Sequence, residues 1–234
     1  MFTLNCIRLA IRTALLGAVV YSYLGYSPLL EHMITFRLET SPWWMHLLWL
    51  LLMFEMLTQL IPKLDAQLGC GKQYRRHYQP QPYDEYRLLK SMMLANRRAA
   101  VTMLLWMLAN SFFGLLYLLH IIQYRELLVL SFFFCVCDLV CVLFWCPFQY
   151  INKNRCCVTC RIYNWGFFMM YTPMLFIRSF FSWSLFLMGL VVLLFWEYMI
   201  SRYPERFWEG SNQSLSCQHC TDKMCRIKRP YIQK

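Results

Sequence analysis

The chain has 234 residues, of which 59% are apolar and 18% aromatic, and it carries a formal net charge of +11. This composition is too hydrophobic for an ordinary soluble domain and is typical of a polytopic membrane protein. The basic residues fall in short segments between apolar runs, and no nucleic-acid-binding motif accompanies them. We therefore expect no nucleic-acid partner, and the lipid bilayer is the expected surrounding.

Six apolar runs predict membrane-spanning helices. The first follows Arg8 and Arg12; it is too long for a signal-peptide core and no small-residue cleavage site follows, so it is predicted to remain as a helix. The fifth is the weakest, because Pro173 and Arg178 interrupt it. The predicted spans are residues 13–30, 43–61, 99–122, 127–146, 165–181 and 183–200.

The predicted fold class is an all-α membrane protein, a six-transmembrane-helix bundle with short outer connections and Cys-rich cytoplasmic loops and tail. Asp84 is a plausible N-cap for a helix that lies in the membrane interface and turns into the third span. The predicted organisation is helices one and two in 1–62, a basic loop in 63–98, a hairpin in 99–146, a Cys-rich loop in 147–164, a second hairpin in 165–201 and a Cys-rich basic tail in 202–234.

The distribution of basic residues predicts the orientation. Of 23 Lys and Arg residues, only Arg37, Arg125 and Arg178 belong to the predicted short connections. The other 20 lie on the side shared by the termini and the long loops, and this side is cytoplasmic by the positive-inside rule. We expect a protein of the cell (inner) membrane with both termini in the cytoplasm.

Eight of the 12 cysteines lie at or near this reducing side, where thiols serve as metal ligands more often than as disulfides. Two C-x-x-C pairs have a spacing that offers two sulfurs to one metal ion. They are far apart in sequence, so they would have to meet through packing of the loop against the tail. The predicted ligands are Cys157, Cys160, Cys217 and Cys220 for one site and Cys146, Cys156, Cys225 and Cys70 for a second.

All-sulfur ligation suits both zinc and iron–sulfur clusters, and the surplus of thiols beside an apolar bundle favours iron–sulfur. The alternative is a set of reduced thiols without a metal. His46 and His120 are predicted near the outer surface, where two imidazoles could ligate a haem or flank a quinone.

Several polar groups fall inside the predicted spans, and among them Glu55 and Asp138 are candidates for an ion or proton path. For Asp138 the alternative is a neutral side chain in a helix–helix hydrogen bond. No P-loop, G-x-S-x-G, H-E-x-x-H or dinucleotide motif is present, so no enzyme class is predicted.

The sequence thus favours membrane-associated electron transfer or redox sensing at cytoplasm-facing thiolate centres, with a cytoplasmic redox protein or a quinone as partner. Two alternatives come from other classes. One is a non-catalytic scaffold with structural zinc, and the other is a small ion or metabolite transporter with Glu55 and Asp138 on its path.

Overall fold

A computed structural model describes residues 2–25, 29–61, 78–153 and 160–216. Within these ranges the protein is all-helical, without β-strands and with one isolated antiparallel bridge between Pro80 and Asn212. The α-helices are α1 (Phe2–Leu24), α2 (Leu29–Ile34), α3 (Trp43–Leu60), α4 (Glu85–Leu118), α5 (Tyr124–Leu143), α6 (Phe148–Asn152), α7 (Gly166–Tyr171) and α8 (Phe180–Arg202).

Four helices are long and apolar enough to cross a membrane: α1 from Asn5 onward, α4, α5 and α8. The 18-residue α3, which carries His46, Glu55 and Gln59, is not among them. The prediction of an all-helical membrane protein is confirmed at this coarse level. The predicted number of six spans is not confirmed.

The fifth predicted span is not one helix. Residues 165–181 begin at the last residue of a 3₁₀ helix at Arg161–Trp165 and continue through α7 and a second 3₁₀ helix at Thr172–Phe176, which holds Pro173 near its start. They end in the first residues of α8. Pro173 lacks a backbone N–H and cannot donate the hydrogen bond that would continue the α-helix, which accounts for the break. We call Arg161–Phe176 the internal segment, because residues 166–174 are all buried.

The internal segment runs antiparallel to α8. The rings of Phe168 and Phe186 lie 5.7 Å apart. Gly189 brings the two backbones together, since a Cβ at this position would lie 3.2 Å from the backbone of Phe167. The segment and α8 therefore form a closely packed hairpin in the centre of the bundle.

The third predicted span begins earlier than expected. Asp84 is the N-cap, as predicted, and accepts a hydrogen bond from the Tyr86 backbone N–H at 3.0 Å. The predicted turn after an interfacial helix is wrong, because α4 continues for 34 residues without interruption. No proline or glycine occurs before Gly114 to break it.

Short connections gather at one end of the bundle, which we call the turn end. There Arg125 at the start of α5 forms an ion pair with Glu31 in α2 at 2.8 Å. The Ser179 hydroxyl donates to the Met33 carbonyl oxygen at 2.9 Å. These contacts join α2, α5 and the residues before α8.

The opposite end, which we call the terminal end, holds the start of α4 and the segment after α8. The Gln213 N–H donates to the Gln79 carbonyl oxygen at 2.9 Å, so residues 203–216 pack against residues 78–81. The Arg206 guanidinium lies 4.1 Å from the centroid of the Tyr203 ring. The same guanidinium lies 5.7 Å from the centroid of the Tyr78 ring. Burial, and then the nearby Glu205 carboxylate, raises the pKa of Tyr78.

Candidate functional site: a buried charge cluster beside an apolar cavity

Arg12 joins three helices through its guanidinium group. It donates to the Glu55 carboxylate on α3 at 2.7 Å and to the Asp138 carboxylate on α5 at 3.2 Å. A further bond of 2.9 Å goes to the backbone carbonyl oxygen of Cys135. The Arg12 side chain is 9% exposed, and those of Glu55 and Asp138 are 22% and 23% exposed. We call Arg12, Glu55 and Asp138 the charge cluster.

The position of Arg12 corrects the sequence analysis, which placed it before the first span as a flanking charge. Helix α1 begins at Phe2, and its membrane-crossing part runs from Asn5 to Leu24, so Arg12 lies within it. The sequence does contain a signal for this position: Arg12 has apolar sequence on both sides, and two other apolar helices each carry a carboxylate. An arginine inside a bundle needs such counter-ions.

The charges of the cluster do not balance. One guanidinium and two ionised carboxylates carry a net charge of −1. A net charge in a low-dielectric interior is costly, so a proton or a second cation is needed for neutrality. The Glu55 oxygen is the closer of the two partners of Arg12, which makes Asp138 the carboxylate more available for exchange.

Sulfur and hydroxyl groups surround the cluster. The Met170 sulfur lies 3.9 Å from Nη1 of Arg12 and 3.3 Å from the Cys135 sulfur. Tyr171 is within electrostatic range of Arg12 and is 1% exposed.

Gly166 permits the close approach of the internal segment to the cluster. A Cβ at position 166 would lie 2.9 Å from Oδ1 of Asp138, closer than real Cβ contacts allow. Glycine therefore lets the Asp138 carboxylate occupy the space between α5 and α7.

A cavity of about 320 Å³ lies beside the cluster, and Asp138 forms part of its wall. Aromatic rings from α4, α5 and α6 provide much of the remaining surface, including Trp106, Phe134 and Phe148. Asp138 carries the only charged side chain among the described residues that line it. The site is thus an apolar cavity with one carboxylate, and this carboxylate is bonded to Arg12.

Four thiols also line the cavity: Cys137, Cys141, Cys146 and Cys160. The last two are predicted metal ligands; Cys146 directly precedes the Cys-rich loop, and Cys160 lies within it. The structure therefore brings Cys146 and Cys160 to one cavity. The other six predicted ligands, Cys70, Cys156, Cys157, Cys217, Cys220 and Cys225, lie outside the described residues.

Metal ligation stays a prediction. In residues 2–25, 29–61, 78–153 and 160–216, no three His, Cys, Asp or Glu side chains form a group that could hold a metal ion. The residues next to Cys217 pack on residues 78–81, which follow the first long loop. The predicted contact between the two C-x-x-C pairs involves Cys157, Cys217 and Cys220, which lie outside the described residues.

The surroundings of His46 and His120 give no support for a cofactor site. His46 lies at the start of α3, and its Nδ1 and Nε2 atoms are each 3.1 Å from a backbone carbonyl oxygen, of Pro42 and Leu38 respectively. His120 is exposed at the end of α4, with a positive φ of 57°. The haem or quinone role of His46 and His120 stays a prediction, and the contacts of His46 do not favour it.

A second ion pair joins the internal segment to α8. Arg161 binds both oxygens of the Glu197 carboxylate, and Trp165 donates to it from Nε1 at 2.7 Å. Neither charged residue lines the cavity. This pair resembles the charge cluster in chemistry but is separate from this cavity.

The fold and the site define a helical membrane protein with a buried three-residue charge cluster next to an apolar cavity. No protein family, no curated protein and no solved structure matches this chain.

Proposed function

We propose that this protein is a membrane carrier that exchanges a small lipophilic cation for a proton at Asp138. The observation that supports this proposal is the double role of Asp138. Its carboxylate belongs to the buried charge cluster and also to the wall of the apolar cavity. Ionisable groups inside membrane bundles commonly mark ion pathways or proton relays.

The cavity suits a lipophilic cation in size and chemistry. Its volume falls at the lower end of the range for small-molecule sites, about 300–1,000 Å³. Aromatic rings such as Trp106 and Phe134 attract cations through their faces. A carboxylate is the natural counter-ion for such a ligand, whereas an anionic ligand would be repelled.

The net charge of −1 on the cluster predicts that one cation is exchanged for one proton. Arg12 and Glu55 neutralise one another, and Asp138 carries either a proton or the cation. Binding of the cation at Asp138 releases the proton, so one monovalent cation replaces one proton. The site is neutral in both states, which avoids the cost of a net buried charge.

Transport in proteoliposomes tests this proposal. Vesicles with an acidic interior are diluted into alkaline buffer that contains radiolabelled 1-methyl-4-phenylpyridinium, and uptake is measured together with proton efflux. The wild type is expected to accumulate the cation, and Asp138→Asn is expected to abolish accumulation. Glu197→Gln is the matched control, since it removes a carboxylate from an ion pair outside the cavity.

The proposal also predicts insensitivity to membrane potential, because the exchange is electroneutral. Uptake driven by a potassium diffusion potential without a pH gradient would contradict it. So would uptake by Asp138→Asn at the wild-type rate, or the absence of uptake by the wild type.

We further propose that the bundle crosses the membrane six times, with α3 and the internal segment as the additional crossings and both termini in the cytoplasm of the cell membrane. The antiparallel packing of the internal segment on α8 and the presence of Glu55 of α3 in the cluster support this arrangement. Labelling of single cysteines placed at Arg125 and Arg202 with an impermeant maleimide in intact cells is expected to modify only position 125.

A second candidate is a thiolate metal centre that transfers electrons or senses redox state. Its support is the presence of Cys146 and Cys160 on the wall of one cavity. The expected cofactor is an iron–sulfur cluster, with structural zinc in a non-catalytic scaffold as the alternative, and a quinone or a cytoplasmic redox protein is the expected partner. Anaerobic purification and analysis for iron, acid-labile sulfide and zinc test this. Protein without stoichiometric metal, in which all eight predicted ligands react freely with a thiol reagent, would refute it.

A further inference from the structure

Two arginines converge on a second cavity at the turn end of the bundle. This cavity has a volume of about 730 Å³ and is lined by Arg37, from the α2–α3 connection, and by Arg178, from the residues before α8. Both side chains belong to exposed residues. We call this space the turn-end cavity.

The positive charge of the turn-end cavity is not neutralised. No carboxylate is among the described residues that line it, and neither Arg37 nor Arg178 forms an ion pair with any part of the chain that the structure describes. The third arginine at this end, Arg125, lies outside the cavity and is already paired with Glu31. Two guanidinium groups are therefore available to an anion.

The loop that carries Arg37 is held in place by the protein. The Arg37 backbone N–H donates to the Ser41 hydroxyl at 2.9 Å, and the Ser41 N–H donates to the Arg37 carbonyl oxygen at 3.2 Å. Next to Arg178, the hydroxyl of Ser179 donates to the Met33 carbonyl oxygen. Both arginines thus extend from ordered backbone.

The surroundings indicate the kind of anion. Guanidinium groups bind phosphate oxygens through two parallel hydrogen bonds, and two such groups suit one phosphate ester. Phe180 lines the cavity, is 47% exposed and begins the apolar helix α8. A phosphate placed there would lie beside an apolar surface, as the phosphate of a phospholipid does.

We propose that the turn-end cavity binds a phosphate ester through Arg37 and Arg178, with the headgroup of an anionic phospholipid as the favoured source. A soluble phosphate ester has the same recognition chemistry. The two sources differ in whether an acyl chain is needed, and the experiment separates them on this basis.

Native mass spectrometry of the detergent-solubilised protein measures the lipid arm. The wild type is expected to retain dioleoylphosphatidylglycerol over dioleoylphosphatidylcholine. Each guanidinium supplies charge-assisted hydrogen bonds to the phosphate, so Arg37→Gln with Arg178→Gln should weaken retention by at least about tenfold. Arg125→Gln is the control, because it removes a positive charge from the same end outside the cavity. Both sites are exposed, and circular dichroism checks the fold of each variant.

The soluble arm uses glycerol 3-phosphate in delipidated protein. Binding of this compound that depends on Arg37 and Arg178, without preference between the two lipids, supports the site and assigns a soluble phosphate ester as its ligand. Equal retention of phosphatidylglycerol by wild type and double variant, with no binding of glycerol 3-phosphate, overturns the proposal. An equal loss in Arg125→Gln also overturns it, since binding would then reflect only the total charge of this end.

Discussion

Replacement of Arg12 by methionine is expected to destabilise the bundle strongly. The substitution removes an ion pair of 2.7 Å with Glu55, one of 3.2 Å with Asp138 and a bond of 2.9 Å to the Cys135 carbonyl oxygen. It also leaves two carboxylates close to each other without their shared cation. Methionine retains most of the aliphatic volume, so the loss is mainly electrostatic.

The size of this effect follows from the burial of the three groups. Each hydrogen bond to a charged group contributes about 1.5–3 kcal/mol, and loss of one partner from a buried pair costs about 3–5 kcal/mol. The carboxylates are 22% and 23% exposed, and this partial exposure lowers the cost of losing Arg12. We therefore expect a loss of about 3–5 kcal/mol in the free energy of unfolding rather than the sum of three bonds.

Equilibrium unfolding in mixed micelles, followed by circular dichroism, measures this loss. Arg87→Gln is the control and should change stability by less than about 0.5 kcal/mol, because its ion pair with Asp84 is 3.6 Å long and its side chain is 78% exposed. Combining Arg12→Met with Glu55→Gln and Asp138→Asn should recover most of the stability while transport stays absent. Wild-type stability of Arg12→Met alone would refute the assignment of the cluster as a coupled buried site.

Three further outcomes are expected. Gly166→Ala forces the Asp138 carboxylate to move and should lower the free energy of unfolding by about 1–3 kcal/mol in the same assay. Unchanged stability of this variant would show that the space around Gly166 is not tightly packed. A bound lipophilic cation should slow the alkylation of Cys137 and Cys141 by N-ethylmaleimide, as followed by peptide mass spectrometry, because both thiols line the cavity; equal rates with and without the cation would place the ligand elsewhere. Asn212→Ala should cost about 1–3 kcal/mol, since the Asn212 side chain is fully buried and bonds the Arg206 carbonyl oxygen at 2.8 Å; a neutral effect in the unfolding assay would contradict this.

The long apolar helices could be predicted from the sequence. Uninterrupted apolar runs predicted spans at 99–122 and 127–146, and the helices α4 and α5 cover most of both. The N-cap at Asp84 was equally predictable, because its capping bond involves a residue only two positions away. Such features depend on local chemistry, which the sequence records directly.

The charge cluster could not be predicted, because its contacts are distant in sequence. Arg12 lies 43 residues from Glu55 and 126 from Asp138. Near the start of an apolar run, an arginine is typical of a membrane boundary. Only the packing of α1 against α5 and the ion pair with Glu55 of α3 show that Arg12 lies inside. Pro173 and Arg178 indicated that the fifth span is weak. They did not indicate that the internal segment is buried, because this burial results from packing against α8.

The length of α4 has a mechanical consequence. A helix of 34 residues measures about 51 Å, whereas the hydrocarbon core of a bilayer is about 30 Å thick. About 20 Å of α4 must therefore project from the core or be accommodated by tilt. Residues 78–81 directly precede α4 and are hydrogen-bonded to the segment after α8. Further along α4, Trp106 forms part of the cavity wall. The helix therefore connects that segment to the cavity. A displacement of the segment after α8 would be transmitted along α4 to Trp106.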